Sequence, residues 1–183
     1  MHREDLLNLL ARYKTAHMEE AAMVARTRHF VMQHPNCFDR TLFSGHVTGS
    51  SWVVNPARTH VLMMLHRKLN RWLQLGGHAD GESDIVQVVL KETAEESGVD
   101  IHAFTLIRNE IFDVDVHIVH ASQHDPRHEH FDIRFLLELD DSIPLPGNDE
   151  SHQIGWVSLE QVPQLNNARS LYRMVQKTRR LGH

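Results

Sequence analysis

The chain has 183 residues, 41% of them hydrophobic, and a formal charge of -5. That charge disfavours broad nucleic-acid affinity, which rests on a basic surface, and no apolar run approaches a membrane span, so composition predicts a soluble globular protein of one domain. Cys37 is the single cysteine and cannot form an internal disulfide; with no evident signal peptide, the expected compartment is the cytoplasm.

In chain order, Leu6, Leu9, Leu10 and Tyr13 form one helical stripe. Met23, Thr27, Phe30 and Val31 form a second that ends before Pro35, so residues 1–40 read as an N-terminal helical extension whose surface can serve a homodimer contact. Residues 41–183 read as the main domain. From His46 the period changes: His46 to Asn55 reads as a strand, Asn55-Pro56 as a turn and Thr59 to Leu65 as the next strand. An extended piece at Trp72 to Leu75 feeds a glycine turn at Gly76-Gly77. A helix starting near Asp84 follows, then strands near Phe104 to Ile107, Ile111 to His120, His130 to Leu139 and Ile154 to Val157. A final helix carries Leu171, Met174, Val175 and Thr178 on one face.

The helix after the glycine turn holds the strongest chemical signal. Its inward residues are Ile85, Val88 and Val89, and seven positions on, Glu92, Glu95 and Glu96 fall on the same face. Carboxylates clustered there repel one another, and the last two sit at a helix end whose dipole favours cations, just before the terminator Gly98. A solvated acidic helix end should turn its acids away from the apolar stripe. Hard oxygen donors converging from one face suit Mg²⁺ or Mn²⁺.

Gly77, Glu92, Glu95, Glu96, Gly98 and Val99 match in register the signature of the Nudix hydrolases, which this segment resembles. Ser83 stands where the first signature glutamate is expected, Lys91 replaces the arginine and Thr93 the aliphatic residue; Glu82 lies one position early. The resemblance implies an α/β fold, an α/β/α sandwich with a mixed β-sheet, and a metal-dependent hydrolase that cleaves a small-molecule diphosphate, a nucleoside diphosphate derivative, by water attack on phosphorus. It implies that Glu92, Glu95 and Glu96 hold the Mg²⁺ or Mn²⁺ with the Gly77 carbonyl, and that Glu92 or Glu96 doubles as general base. Glu150, in the loop after Pro146-Gly147, is the candidate extra carboxylate, against a solvated loop acid. Lys91 is expected to stay beside the glutamates, without the planar fork of arginine. Because Ser83 and Lys91 depart from the signature, a non-catalytic binding or regulatory module on the same fold is the alternative.

Sixteen histidines are the second unusual feature. His128, His130, Asp132 and Arg134 alternate onto one face of a strand, and Asp113, Asp115 and His117 repeat the pattern on its expected hairpin partner. A sheet with one wet face would account for this. The segments His46-Val47-Thr48-Gly49-Ser50-Ser51-Trp52 and Gly77-His78 also resemble isopentenyl diphosphate isomerase, a distant Nudix relative, and His128-x-His130 falls where that enzyme alternates two glutamates. That resemblance implies a second metal on His46, His78, His128 and His130, with imidazoles suiting Zn²⁺, Ni²⁺, Fe²⁺ or Mn²⁺, and keeps open a non-hydrolytic metalloenzyme. The isomerase's own cysteine position holds Gly76. Arg67, Lys68 and Arg71 are candidates to receive substrate phosphates against a solvated basic run, with Arg67, Arg71 and Lys91 forming the expected substrate-binding set. Trp52 and Trp72 could stack a base, but core packing competes.

Overall fold

The computed structural model describes residues 3–121, 126–149 and 151–181. Five α-helices are described: α1 (Glu4–Arg12), α2 (Met18–Gln33), α3 (Ile85–Ser97), α4 (Val162–Leu165) and α5 (Arg169–Arg180). Eight strands accompany them: β1 (Gly45–Val54), β2 (His60–His66), β3 (Arg71–Leu73), β4 (Leu75–His78), β5 (Thr105–Leu106), β6 (Asp113–Val119), β7 (His128–Glu138) and β8 (Ser151–Ser158). They join one sheet of order β3-β2-β1-β7-β5, in which β4 pairs with β1, β6 with β7 and β8 with β2. Among the described residues no helix is long and apolar enough to cross a membrane. The chain divides into two compact units, and β1, β4, α3 and β7 contribute residues to both.

The first unit holds residues 1–49, 77–89 and 109–135. Helix α1 buries Leu6 and Leu10, with Glu4 and Asp5 in its first turn and Arg12 in its last, each sign matched to the helix dipole. The Arg3 guanidinium donates to the Val31 and Met32 carbonyls at 2.7 and 2.9 Å, satisfying acceptors in the last turns of α2 that the helix itself leaves open. Phe30 of α2 stacks on Phe131 of β7 with ring centroids 4.0 Å apart. Glu20 is fully buried, yet its carboxylate accepts hydrogen bonds from the Tyr13 and Thr15 hydroxyls and from the Val114 amide, so its burial is compensated. The helices of residues 1–40 thus supply core to this unit. Gly49 is needed for space: a Cβ there would meet Val89 Cγ2 at 2.8 Å and Ile85 Cδ1 at 3.1 Å.

The second unit holds residues 50–76, 90–108 and 136–183. Strands β2 and β8 pair antiparallel from His60↔Ser158 to His66↔Ser151, and the buried Val61, Leu62, Met63 and Met64 of β2 make it a central strand. Helix α5 lays Leu171, Met174, Val175 and Thr178 inward, as its sequence period requires. Trp52 is fully buried and donates through Nε1 to Thr178 Oγ1 at 2.8 Å, which makes it a core residue and removes it as a base-stacking platform.

One boundary differs from the sequence reading in a way that matters. Gly76 and Gly77 do not form the turn; they lie within β4, which runs on through His78. The turn falls at Ala79 to Glu82, where the Glu82 amide donates to the Ala79 carbonyl at 2.9 Å and Asp80 and Gly81 take φ of 49° and 88°. Asp80 holds that left-handed conformation while its carboxylate pairs with Arg40. His78 is therefore fixed on a strand.

Candidate functional site

Helix α3 begins with a built cap. Asp84 Oδ1 accepts from the Val86 and Gln87 amides at 3.1 and 3.2 Å, and Glu82 Oε1 accepts from the Asp84 amide at 2.8 Å. Glu82, the early acid, is engaged at the helix entry. Ile85, Val88 and Val89 are buried as expected. The helix ends at Gly98, with φ of 70°, and the Ser97 carbonyl is satisfied by the Gly147 amide at 2.8 Å.

The three glutamates do not share one environment. Glu96 is 5% exposed, and its Oε2 accepts from the Gly76 amide at 2.8 Å. Glu92, one turn earlier on the same face, is half-buried. The Glu95 side chain is 58% exposed and lies 3.8 Å from Lys91 Nζ, an i,i+4 pair in solvent. The expectation of three acids continuing one buried stripe is corrected here: the Glu95 side chain reaches solvent beside Lys91, and Thr93 and Ser97 complete the buried side at this end of the helix instead. Thr93, which replaces an aliphatic signature residue, donates to Ser51 Oγ at 2.7 Å, so the hydroxyl is paired. A buried carboxylate at a helix C-terminus, where the dipole opposes its charge, is a donor that fits a hard divalent cation.

The histidines gather in the first unit. His46 opens β1, His78 closes β4, and His128 and His130 open β7. The His46 ring centroid lies 5.0, 4.9 and 4.7 Å from those of His78, His128 and His130. Ligand-capable nitrogens of His46, His78 and His130 all fall within 4.8 Å of one another. Both ring nitrogens of His46, which is 2% exposed, are buried without a hydrogen-bond partner among the described residues. Burial, reinforced by repulsion from His78 and His128, pushes His46 down to about 4; burial and the neighbouring His117, His46, His78 and His128 push His130 down to about 2. Both rings are neutral near pH 7 and present lone pairs.

The same polar face continues along β6 and β7. The register places His117 opposite His130, Asp115 opposite Asp132 and Asp113 opposite Arg134. Arg134, 3% exposed, bonds Asp132 through Nε at 2.7 Å and Asp113 and Asp115 through its two terminal nitrogens at 3.2 Å. Burial works against that guanidinium, but the three carboxylates overcome it and hold its pKa above the usual arginine value. Thr48 of β1 donates to Asp132 Oδ1 at 3.0 Å. The wet-face reading of this alternation is corrected, since Asp113, Asp132, Arg134 and Thr48 are all buried. Thr48 and the Gly76 amide are the groups that sequence reasoning missed. The alternation His46, Thr48, Ser50 in a strand buried along its whole length carried the signal for Thr48; nothing in sequence marked the amide.

The remaining expected site residues are scattered. Gly77 is half-buried in β4. Arg67 is exposed in the turn between β2 and β3, and Arg71 on β3 donates to Asn166 Oδ1 at 3.1 Å. Trp72 is half-buried, its carbonyl accepting from Asn166 Nδ2 at 2.8 Å. Glu150 lies outside the described residues. A cavity of about 580 Å³ in the first unit is lined by α1 and by Ser83 to Gln87, and includes none of the clustered histidines.

The NUDIX domain profile matches residues 46–177, and the chain belongs to the Nudix family. Its α/β fold, a mixed sheet with helices, is that of the Nudix sandwich. A binary complex of an Ap4A hydrolase from C. elegans is similar at 16% identity and a TM-score of 0.58, over 72% of this chain and 93% of that one. The E. coli dihydroneopterin triphosphate pyrophosphohydrolase is similar at 17% identity and a TM-score of 0.59, over 72% of this chain and 92% of that one. A NUDIX-family hydrolase from Clostridium perfringens reaches 22% identity and a TM-score of 0.55, over 75% and 98%. These likenesses are of fold. No curated protein matches the chain.

Proposed function

We propose that this Nudix protein is a metal-dependent hydrolase that cleaves the diphosphate linkage of a nucleoside diphosphate derivative by water attack on phosphorus. The observation that carries the reading is Glu96, buried at the end of α3 with Glu92 one turn before it, in a chain whose profile match spans that helix. Such carboxylates are unfavourable in that place alone and become favourable around a cation. Glu92 and Glu96, with Glu95 from the flank, would hold Mg²⁺ or Mn²⁺, which supplies charge neutralisation at phosphorus and a water of lowered pKa. The Gly76 amide, bonded to Glu96 Oε2 at 2.8 Å, helps to orient that carboxylate. Glu92, half-buried, would take a proton from the attacking water. Lys91, paired with Glu95 in solvent, and Arg67 are exposed cations that can meet substrate phosphates.

Two of the similar structures bear the names of enzymes for Ap4A and for dihydroneopterin triphosphate, which supports a nucleotide-like diphosphate as the class to assay. The test is a panel of nucleotide sugars, dinucleoside polyphosphates, coenzyme diphosphates and nucleoside triphosphates with Mg²⁺ or Mn²⁺. Turnover of at least one class, falling at least about 100-fold in Glu96→Gln with an unchanged circular dichroism spectrum, is the expected result. A wild type silent across the panel with both metals, yet binding panel members in calorimetry, would establish the binding-module alternative.

A further inference from the structure

We propose that the cavity between α1 and the first turn of α3 binds a small zwitterion of dipeptide type, an ammonium and a carboxylate separated by an amide. The cavity lies within the first unit, measures about 580 Å³ and is lined neither by the clustered histidines nor by the glutamates of α3. That volume is in the range of small-molecule sites, roughly 300–1,000 Å³. Its α1 wall lies outside the residues 46–177 that the family profile covers, so one side of the site is built by a segment the shared domain does not include.

The α1 wall sets the charge layout. Asp5, Asn8, Leu9 and Arg12 follow one another at steps of three, one and three residues and line the cavity from one helix face. Asp5 and Arg12 are two turns apart, about 10.5 Å along the axis, too far to pair with each other. Neither has an ion-pair partner among the described residues. An ammonium on Asp5 and a carboxylate on Arg12, each held at about 2.8 Å, would stand about 5 Å apart. A free α-amino acid, with its charges about 2.5 Å apart, falls short; each added residue extends the span by about 3.3–3.6 Å, so a dipeptide reaches about 6 Å and a tripeptide overshoots.

The rest of the lining matches what such a ligand carries between its ends. Asn8, Gln87 and Asn109 each bring a carboxamide to the cavity, and a carboxamide offers both an acceptor and a donor to the N–H and C=O of a peptide group. Leu9 and Val86, both half-buried, offer apolar surface to a ligand side chain. Asp84, whose Oδ1 caps α3, adds a second carboxylate, so the cavity holds two acids against the one guanidinium of Arg12. That excess repels a diphosphate and separates this ligand from the substrate of the proposed hydrolysis. Ser83, where the family signature has glutamate, spares the cavity a third carboxylate.

The experiment is calorimetric titration of untagged, full-length protein with the dipeptides Ala-Leu and Ala-Gln. One saturable equivalent is expected for at least one of them, at least about 10-fold tighter than for its N-acetyl form, its C-terminal amide or free leucine. Asp5→Asn should abolish the preference for a free amino end and Arg12→Gln the preference for a free carboxyl end, a crossed pattern that a folding defect does not produce. Ser83→Glu should weaken binding at least about 10-fold, and Glu92→Gln with Glu96→Gln should bind as the wild type does. The proposal is overturned if neither dipeptide binds at millimolar concentration, if the blocked forms bind as tightly as the free one, if the Asp5 and Arg12 variants keep both preferences, or if binding is lost with the glutamates. Because binding is read without turnover, failure here leaves the hydrolase reading standing, and the reverse holds too.

Discussion

Arg134 is the residue on which the first unit's interior depends most. Replacing it with methionine leaves Asp113, Asp115 and Asp132 facing one another without their cation, so Arg134→Met is expected to destabilise by about 3–5 kcal/mol in urea denaturation. Gly49 is a second sensitive position, for steric reasons: Gly49→Ala drives a methyl against Val89 Cγ2, at an expected cost of about 1–3 kcal/mol in the same assay. Cys37 differs in kind. Fully buried, its thiol is pushed up by burial to about 11, an effect that Arg3 partly offsets. The folded state therefore keeps a proton that the unfolded chain loses from its ordinary value of 9.0, so stability falls as pH rises from 9.0 towards 11 and is level below that window. Urea midpoints measured across this range should fall less steeply in Cys37→Ala than in the wild type.

At the scale of elements, α3 was legible because its period, cap and terminator agree: Asp84 begins it, Gly98 ends it, and Ile85, Val88 and Val89 point inward. Its acids were legible as a set, but not in their separate surroundings, since burial of Glu96 and exposure of Glu95 depend on which neighbours lie across each flank. Asp84→Ala should remove the cap and cost about 1 kcal/mol, measured by thermal denaturation. Gly76 and Gly77 look like punctuation, but tertiary pairing draws them into β4, where Gly76 takes φ of 148°, and the turn itself falls to Asp80 and Gly81. The histidine strands were read in the right alternation, but a period of two says which residues share a face and not whether that face is wet. Only the buried network of Asp132 and Arg134 reveals that it is interior.

For the whole molecule, the helices read as an extension contribute to the interior of the first unit, with Phe30 stacked on Phe131 and Glu20 bonded to the Val114 amide. Deleting residues 1–40 should therefore lower Tm and broaden the transition; an unchanged melting curve would make this segment dispensable to the fold. The fold class and the main elements were readable because hydrophobic periodicity is local. The composition of the second unit's core was not, since pairings such as Trp52 with Thr178 span most of the chain. Strand β7 has a further consequence for how this protein can change over time. Its alternation commits His128, His130, Asp132 and Arg134 to one side of the sheet and Phe131, Ile133 and Phe135 to the other. Inserting or deleting one residue just after Glu129 would exchange His130, Asp132 and Arg134 with Phe131, Ile133 and Phe135 in a single mutational step, whereas point substitutions alter them one at a time, so descendants of this sequence should vary at these positions by replacement and hardly ever by length.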